Sequence, residues 1–235
     1  MNIFLSFFKL FPPEFAHKAA LYSLKALYTF GMVNLLFSQI ENKKVKFLSL
    51  NLTNRLGTAA GLDKDGDFID CLGAIGFGFL EVGTVTPLPQ KGNPKPRVFR
   101  LFNENAVINR LGFNNKGVDH LVKKLKNRKY TGVVGVNIGA NKNSKDQQRI
   151  DDYLSCFKKV CNYSDYITIN ISSPNTPGLR DLHEINNIKS LIEPIEKEAK
   201  TKNFTGPIFL KISPDESIDS ISLLVNFIAK SSLAG

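Results

Sequence analysis

Apolar and polar residues along this chain fall into blocks whose period switches repeatedly. Short apolar runs at residues 56–62, 79–85, 133–138, 166–171 and 208–212 have the length of buried strands. Longer segments between them place apolar residues at helical spacing: 67–74, 118–127 (Leu121, Val122, Leu125), 150–161 (Tyr153, Leu154, Phe157, Val160), 185–200 and 218–230. Residues 86–115, rich in Pro and Gly, read as one long loop. Apolar strands alternating with helices predict a parallel sheet covered on both faces.

A doubly wound sheet and a (β/α)8 barrel share this rhythm, and the polar residues choose between them. Lys64, Thr84, Asn137, Asn170 with Ser173, and Lys211 each follow a predicted strand. Polar groups after every strand suit the C-terminal rim of a TIM barrel. A dinucleotide fold would concentrate its signal in one loop, and Gly57-Thr58-Ala59-Ala60-Gly61 is not G-x-G-x-x-G. A barrel of this kind takes about 250 residues. The expected fold is therefore an α/β (β/α)8 TIM barrel over 47–235, truncated after about five β/α units.

Residues 1–46 differ. A helix is predicted over 14–30, a second apolar segment over 32–40, and Phe4, Leu5, Phe7 and Phe8 precede Pro12-Pro13. Six lysines against two acids leave this segment at +4. It is too broken to span a bilayer, which takes about 20 continuous apolar residues. A basic, apolar helical pair suits in-plane membrane association; the alternative is a helical cap on the main domain.

The whole chain carries a net charge of +10 over 235 residues. Its basic residues are scattered, so anionic partners are favoured but no nucleic-acid partner is expected. Cys71, Cys156 and Cys161 are odd in number and lack metal spacing, and His17, His120 and His183 are far apart. No metal site is expected.

Candidate chemistry concentrates after the fourth strand, in Asn170-Ile171-Ser172-Ser173-Pro174-Asn175-Thr176-Pro177-Gly178-Leu179. Hydroxyls and carboxamides converge there without an acid, His or Cys. A proton removed here goes to a serine oxygen, and a ligand held here offers N–H and C=O groups that Asn can read.

Six blocks carry a family resemblance: Ala59-Ala60-Gly61-Leu62-Asp63-Lys64-Asp65-Gly66, Glu81-Val82-Gly83-Thr84-Val85-Thr86-Pro87, Pro96-Arg97-Val98-Phe99-Arg100-Leu101, Asn109-Arg110-Leu111-Gly112-Phe113-Asn114, Asn137-Ile138-Gly139 and Asn170-Ile171-Ser172-Ser173-Pro174-Asn175-Thr176. In order and content the chain resembles the N-terminal two-thirds of the membrane-bound, quinone-dependent dihydroorotate dehydrogenases. The resemblance implies FMN-dependent oxidation of dihydroorotate to orotate in pyrimidine synthesis, with electrons passed to a membrane quinone. It implies that Ser173 is the catalytic base. It assigns Ala60, Gly61, Leu62, Asp63, Lys64, Thr84, Asn137, Asn170 and Lys211 to the cofactor, and Lys64, Asn109, Arg110, Leu111, Gly112, Phe113, Asn170 and Asn175 to the substrate. Phe113 and Thr176 would also shape a water path beside the base. Arg100 would line the quinone access, beneath N-terminal helices on the cytoplasmic side of the cell membrane.

The residues themselves fit these roles. Carboxamides satisfy the alternating donor–acceptor edge of orotate. A lysine inside an apolar strand, as Lys211 is, calls for a negative partner. One departure is small: Asn54 is followed by Arg55 where the family usually has proline. The larger one is that the family's last third has no counterpart here. Two rivals remain, an FMN barrel oxidoreductase acting on another ring, and a non-enzymatic remnant or membrane-associated binding protein.

Overall fold

A computed structural model describes residues 7, 9–37, 43–172 and 185–235. The first helix, α1 (Pro13–Thr29), starts on the proline pair and is followed by the single turn α2 (Val33–Leu36). An antiparallel hairpin, β1 (Val45–Phe47) and β2 (Leu50–Leu52), comes next. The main body then runs α3 (Ile69–Ala74), β3 (Phe79–Val85), hairpin β4 (Val98–Leu101) with β5 (Ala106–Asn109), α4 (Val118–Lys126), β6 (Val133–Ile138), α5 (Asp146–Val160), β7 (Tyr166–Asn170), α6 (Ile185–Thr201), β8 (Ile208–Lys211) and α7 (Ile218–Ile228).

The fold is mixed α/β around a parallel sheet ordered β3-β6-β7-β8. Residues 56–58 extend it beyond β3: Gly57 bridges Phe79, and the Thr58 amide donates to the Phe79 carbonyl at 3.2 Å. At the opposite edge, Ala234 donates to the Ile208 carbonyl and Leu210 to that of Gly235, both at 2.8 Å.

Alternation along the strands divides the sheet into two chemically different faces. Leu80, Val82, Val134, Val136, Ile138, Ile167 and Ile169 point to one face, where Leu121, Phe157, Ile188 and Leu191 from the helices bury them. Each such aliphatic side chain contributes roughly 1.5–3 kcal/mol by leaving water. The other face carries Phe79, Glu81, Gly135, Asn137, Tyr166, Thr168, Asn170, Phe209 and Lys211. The β1–β2 hairpin seals its lower end: Phe47 stacks on Phe209 at 6.3 Å, and Leu50 and Leu52 cluster with Tyr166.

The structure corrects four expectations. The strand predicted over 56–62 is only a short bridge, because Asp63 turns the chain: its carboxylate accepts the Asp67 and Phe68 amides at 3.0 and 2.8 Å. The predicted loop 86–115 contains β4 and β5, whose apolar pairs Phe99–Ile108 and Leu101–Ala106 outweigh the surrounding Pro and Gly. The β1–β2 hairpin was not expected. Lys211, expected inside a buried strand, is exposed, because it ends β8 where that strand borders an open cavity.

The register of β3 against β6 shifts between Gly83 and Val85. Simple alternation would turn Thr84 away from Asn137; here its hydroxyl reaches the carboxamides of the inner face. Gly83 permits this, with φ +111° and the Asn137 carbonyl oxygen 2.3 Å from where a Cβ would lie. Gly83→Ala should destabilise the fold by about 3 kcal/mol. Gly31→Ala has positive φ but open space, and should cost about 1 kcal/mol. Urea unfolding of both variants checks the difference; equal losses would show that the close approach at Gly83 is unimportant.

Candidate functional site

A one-directional chain of hydrogen bonds crosses the C-terminal ends of three strands. The Ser172 hydroxyl and amide both donate to Asn170 Oδ1, at 2.8 and 3.0 Å. Asn170 Nδ2 donates to Thr84 Oγ1 at 2.9 Å, and Thr84 Oγ1 donates to Asn137 Oδ1 at 2.6 Å. Asn137 Nδ2 donates to Glu81 Oε1 at 2.9 Å. Glu81 Oε2 also accepts from Tyr166 and Thr168, at 3.1 and 3.2 Å. Thr84, Asn137 and Asn170 are buried, so each unmade bond would carry a full desolvation cost. Asn170 is pinned once more through its main chain, whose carbonyl accepts the Tyr153 hydroxyl at 2.8 Å.

Two cavities flank the segment that follows the first strand position. Gly57, Thr58, Ala59 and Ala60 line one of about 520 Å³, with Glu81, Thr168 and Lys211 on its far wall. Gly61, Leu62, Asp63 and Lys64 line another of about 550 Å³, closed on its other side by α1 through Ala16, His17 and Leu21. Arg100, Leu111 and Asn114 complete that second wall. Gly61 has φ +105° and nothing within 4 Å of where its Cβ would be, so its backbone faces open space.

The electrostatics of this wall follow from burial. Lys64 Nζ donates to the Gly61 carbonyl at 2.9 Å. Burial, reinforced by the Arg97 charge, pulls the Lys64 ammonium below the usual lysine range. Burial and then the Lys64 charge likewise depress His17. Burial pushes Asp63 up to about 6 against the pull of its two amide donors. Burial alone would raise Asp67 too, but hydrogen bonds from Lys116, Lys124 and His120 outweigh it and hold that carboxyl at about 2.

The predicted site residues divide into groups. Thr84, Asn137 and Asn170 meet directly. Gly61, Leu62, Asp63, Lys64, Leu111 and Arg100 share the α1-side cavity, while Ala60 and Lys211 share the other. Asn109 and Arg110 are exposed at the end of the β4–β5 hairpin, the Arg110 guanidinium donating to the Pro96 carbonyl at 2.9 Å. Gly112 is held through its carbonyl by Gln90 at 3.2 Å, and the Phe113 carbonyl by Asn115 at 2.7 Å. Ser173, Asn175 and Thr176 lie outside the described residues.

Several participants had no assigned role in the sequence. Glu81 terminates the chain of donors, and its signal was an acid at an inward position of an otherwise apolar strand. Arg97 is buried and grips Glu14 on α1 through two bonds, at 2.6 and 3.2 Å. Asn114 faces the α1-side cavity with a buried Oδ1 that has no hydrogen-bond partner among the described residues. His17 reaches the same cavity from α1.

The sequence matches the dihydroorotate dehydrogenase family over residues 42–234. This chain belongs to that family. Among its dihydroorotate dehydrogenase relatives, a protein of Cellvibrio japonicus named dihydroorotate dehydrogenase (quinone) is 44% identical over 227 residues, covering 95% of this chain and 66% of that protein. One of the same name from Marinobacter nauticus is 46% identical over 228 residues, covering 95% and 67%. A crystal structure of the Eimeria tenella DHODH in complex with ferulenol superposes with a TM-score of 0.82 at 33% identity, covering 95% of this chain and 65% of that one. The chain thus spans about two thirds of the length of these dihydroorotate dehydrogenases.

The Asp67 cluster ties the Lys64 loop to α4, and its pH response has a definite sign. The carboxyl sits at about 2 in the folded chain and at about 4 when unfolded. Its stabilisation is complete above about pH 4 and is lost as pH falls towards 2. Asp67→Asn should cost about 2 kcal/mol at pH 7, and the gap from the parent should narrow towards pH 3. Chemical unfolding at several pH values checks this; a pH-independent gap would contradict it.

Proposed function

We propose that this chain forms part of a quinone-dependent dihydroorotate dehydrogenase, oxidising (S)-dihydroorotate to orotate in the synthesis of UMP. The observation that carries the reading is the donor chain from Ser172 to Glu81. It presents oriented carboxamides beside the strand end that leads into Ser173, in a chain whose relatives are named for this activity.

FMN is the cofactor proposed. The open space over Gly61, the small Ala60, the neutral carboxamides of Asn137 and Asn170 held through Thr84, and the lysines at positions 64 and 211 fit a planar, polar-edged ring that becomes anionic on reduction. When bound, FMN supplies the hydride acceptor and the link to the quinone. The protein's own part is positional. Ser173 takes the C5 proton of the substrate ring, as the family resemblance implies. Asn170 is fixed in orientation by Ser172 and Thr84 at the end of its strand. Lys64 stands at the cavity wall, where its charge suits the substrate carboxylate. Asn109, Arg110, Leu111, Gly112, Phe113 and Asn175 are proposed to complete the substrate site.

The quinone is proposed to reach the α1-side cavity, past His17 and Arg100. No described helix is long and apolar enough to cross a membrane. The many exposed apolar residues at the N-terminus, Phe7, Leu10, Phe15, Leu35 and Leu36 among them, support peripheral attachment to the cytoplasmic face of the cell membrane. Residues 1–46 would be the membrane-facing segment and 47–235 part of the catalytic domain. The parallel sheet is proposed to belong to a (β/α)8 barrel, in keeping with the greater length of the relatives.

Anaerobic mixing of the intact protein with FMN and dihydroorotate tests the assignment. Bleaching of the flavin by dihydroorotate, recovery with a soluble quinone and not with NAD, and a loss of at least about 100-fold in Ser173→Ala are expected. Bleaching by other dihydropyrimidines alone, or an unimpaired Ser173→Ala, would overturn it.

A further inference from the structure

The β4–β5 hairpin carries apolar side chains on both faces, and among the described residues one face lines a cavity while the other is partly exposed. Val98 and Arg100 on β4 and Val107 on β5 line the cavity beneath α1. The cross-strand pairs Phe99–Ile108 and Leu101–Ala106 form the other face. Ile108 on that face is 55% exposed, and Phe102 at the turn is 61% exposed. An antiparallel ribbon with one solvated face normally carries polar residues there. A contiguous apolar surface of this kind marks a contact with something other than water.

Its position says what that contact is. The Arg100 guanidinium donates to the carbonyls of Lys9 and Phe11, at 3.1 and 2.8 Å. Arg97, at the foot of β4, grips Glu14. The hairpin is thereby clamped beside the N-terminal segment, where Phe11 meets Phe7 edge-to-face at 5.1 Å and Phe15 at a tilt at 5.4 Å, and Leu10 is 80% exposed. Residues 91–110 contain five cations against the single acid Glu104; Arg97 is buried against Glu14 and Arg100 is half-buried, which leaves Lys91, Lys95 and Arg110 exposed. Lys9 adds another beside the clamp, and Arg110 lies over the Phe99 ring at 5.8 Å. An apolar tip with a cationic rim is the chemistry of an anionic bilayer surface.

We propose that the β4–β5 hairpin is a second bilayer contact, with Phe102 and the Phe99–Ile108 face entering the headgroup region of an anionic membrane beside Phe7, Leu10 and Phe15. This rests on the peripheral attachment proposed above and extends it from the N-terminal segment to the wall that carries Arg100. The ribbon would hold the α1-side cavity at the depth from which a lipid-dissolved ligand arrives.

The chain contains no tryptophan, so Phe102→Trp and Leu10→Trp each install a single fluorescent reporter in the full chain. With phosphatidylglycerol-containing vesicles bearing brominated acyl chains, both variants should shift to the blue and be quenched. Phe102→Ser should lower the vesicle partition coefficient roughly tenfold. A response from Leu10→Trp alone would overturn the hairpin contact and leave N-terminal attachment standing. No response from either, with no cosedimentation, would remove both. A blue shift of Phe102→Trp without lipid that grows with protein concentration would assign the face to a second copy of the chain and overturn the proposal.

Discussion

A carboxylate can only accept hydrogen bonds, and the organisation of this site follows from where that acceptor sits. Glu81 takes the Asn137 amide N–H, which leaves the Asn137 oxygen facing Thr84. Thr84 must then donate to Asn137, so it can only accept from Asn170. Asn170 in turn presents its oxygen to Ser172. One charge at the inner face of β3 therefore sets the orientation of two carboxamides on two other strands. The geometry depends on the register shift at Gly83, which brings the Thr84 hydroxyl inward.

Much of this was legible in the sequence because it follows from period. Leu80, Val82, Val134, Val136, Ile167 and Ile169 announce strands buried on one face, and the helices that cover them show their apolar stripes. The polar residues ending those strands, Thr84, Asn137 and Asn170, were legible by position alone. Other features depended on partners distant in the chain. Nothing near Glu81 in sequence shows that Asn137, Tyr166 and Thr168 converge on it from 56, 85 and 87 residues away. The β4–β5 ribbon was obscured by the prolines and glycines around it, and Lys211 looked buried because its strand neighbours are apolar. Arg97 offered no hint of Glu14, which lies 83 residues earlier.

Long-range polar bonds also join the N-terminal helix to the site. Glu14 to Arg97, Lys25 to the Asp67 carbonyl at 3.1 Å, and Asp67 to Lys116, His120 and Lys124 link α1, the Lys64 loop and α4 in series. The segment 57–65 lies between two cavities, its first half facing the inner sheet and its second half facing α1. Lys64 stands at that boundary with its ammonium weakened by burial.

Thr84 is the middle of the donor chain, and its hydroxyl can be removed with little change of shape. The FMN dissociation constant of the intact protein, measured for Thr84→Val and Thr84→Ser, tests the central claim most directly. Two buried amide groups lose their partner in the valine variant, so its affinity should fall roughly 30-fold, while the serine variant stays near the parent. Binding by Thr84→Val within about twofold of the parent would lie inside ordinary surface-mutation variation and would contradict the account.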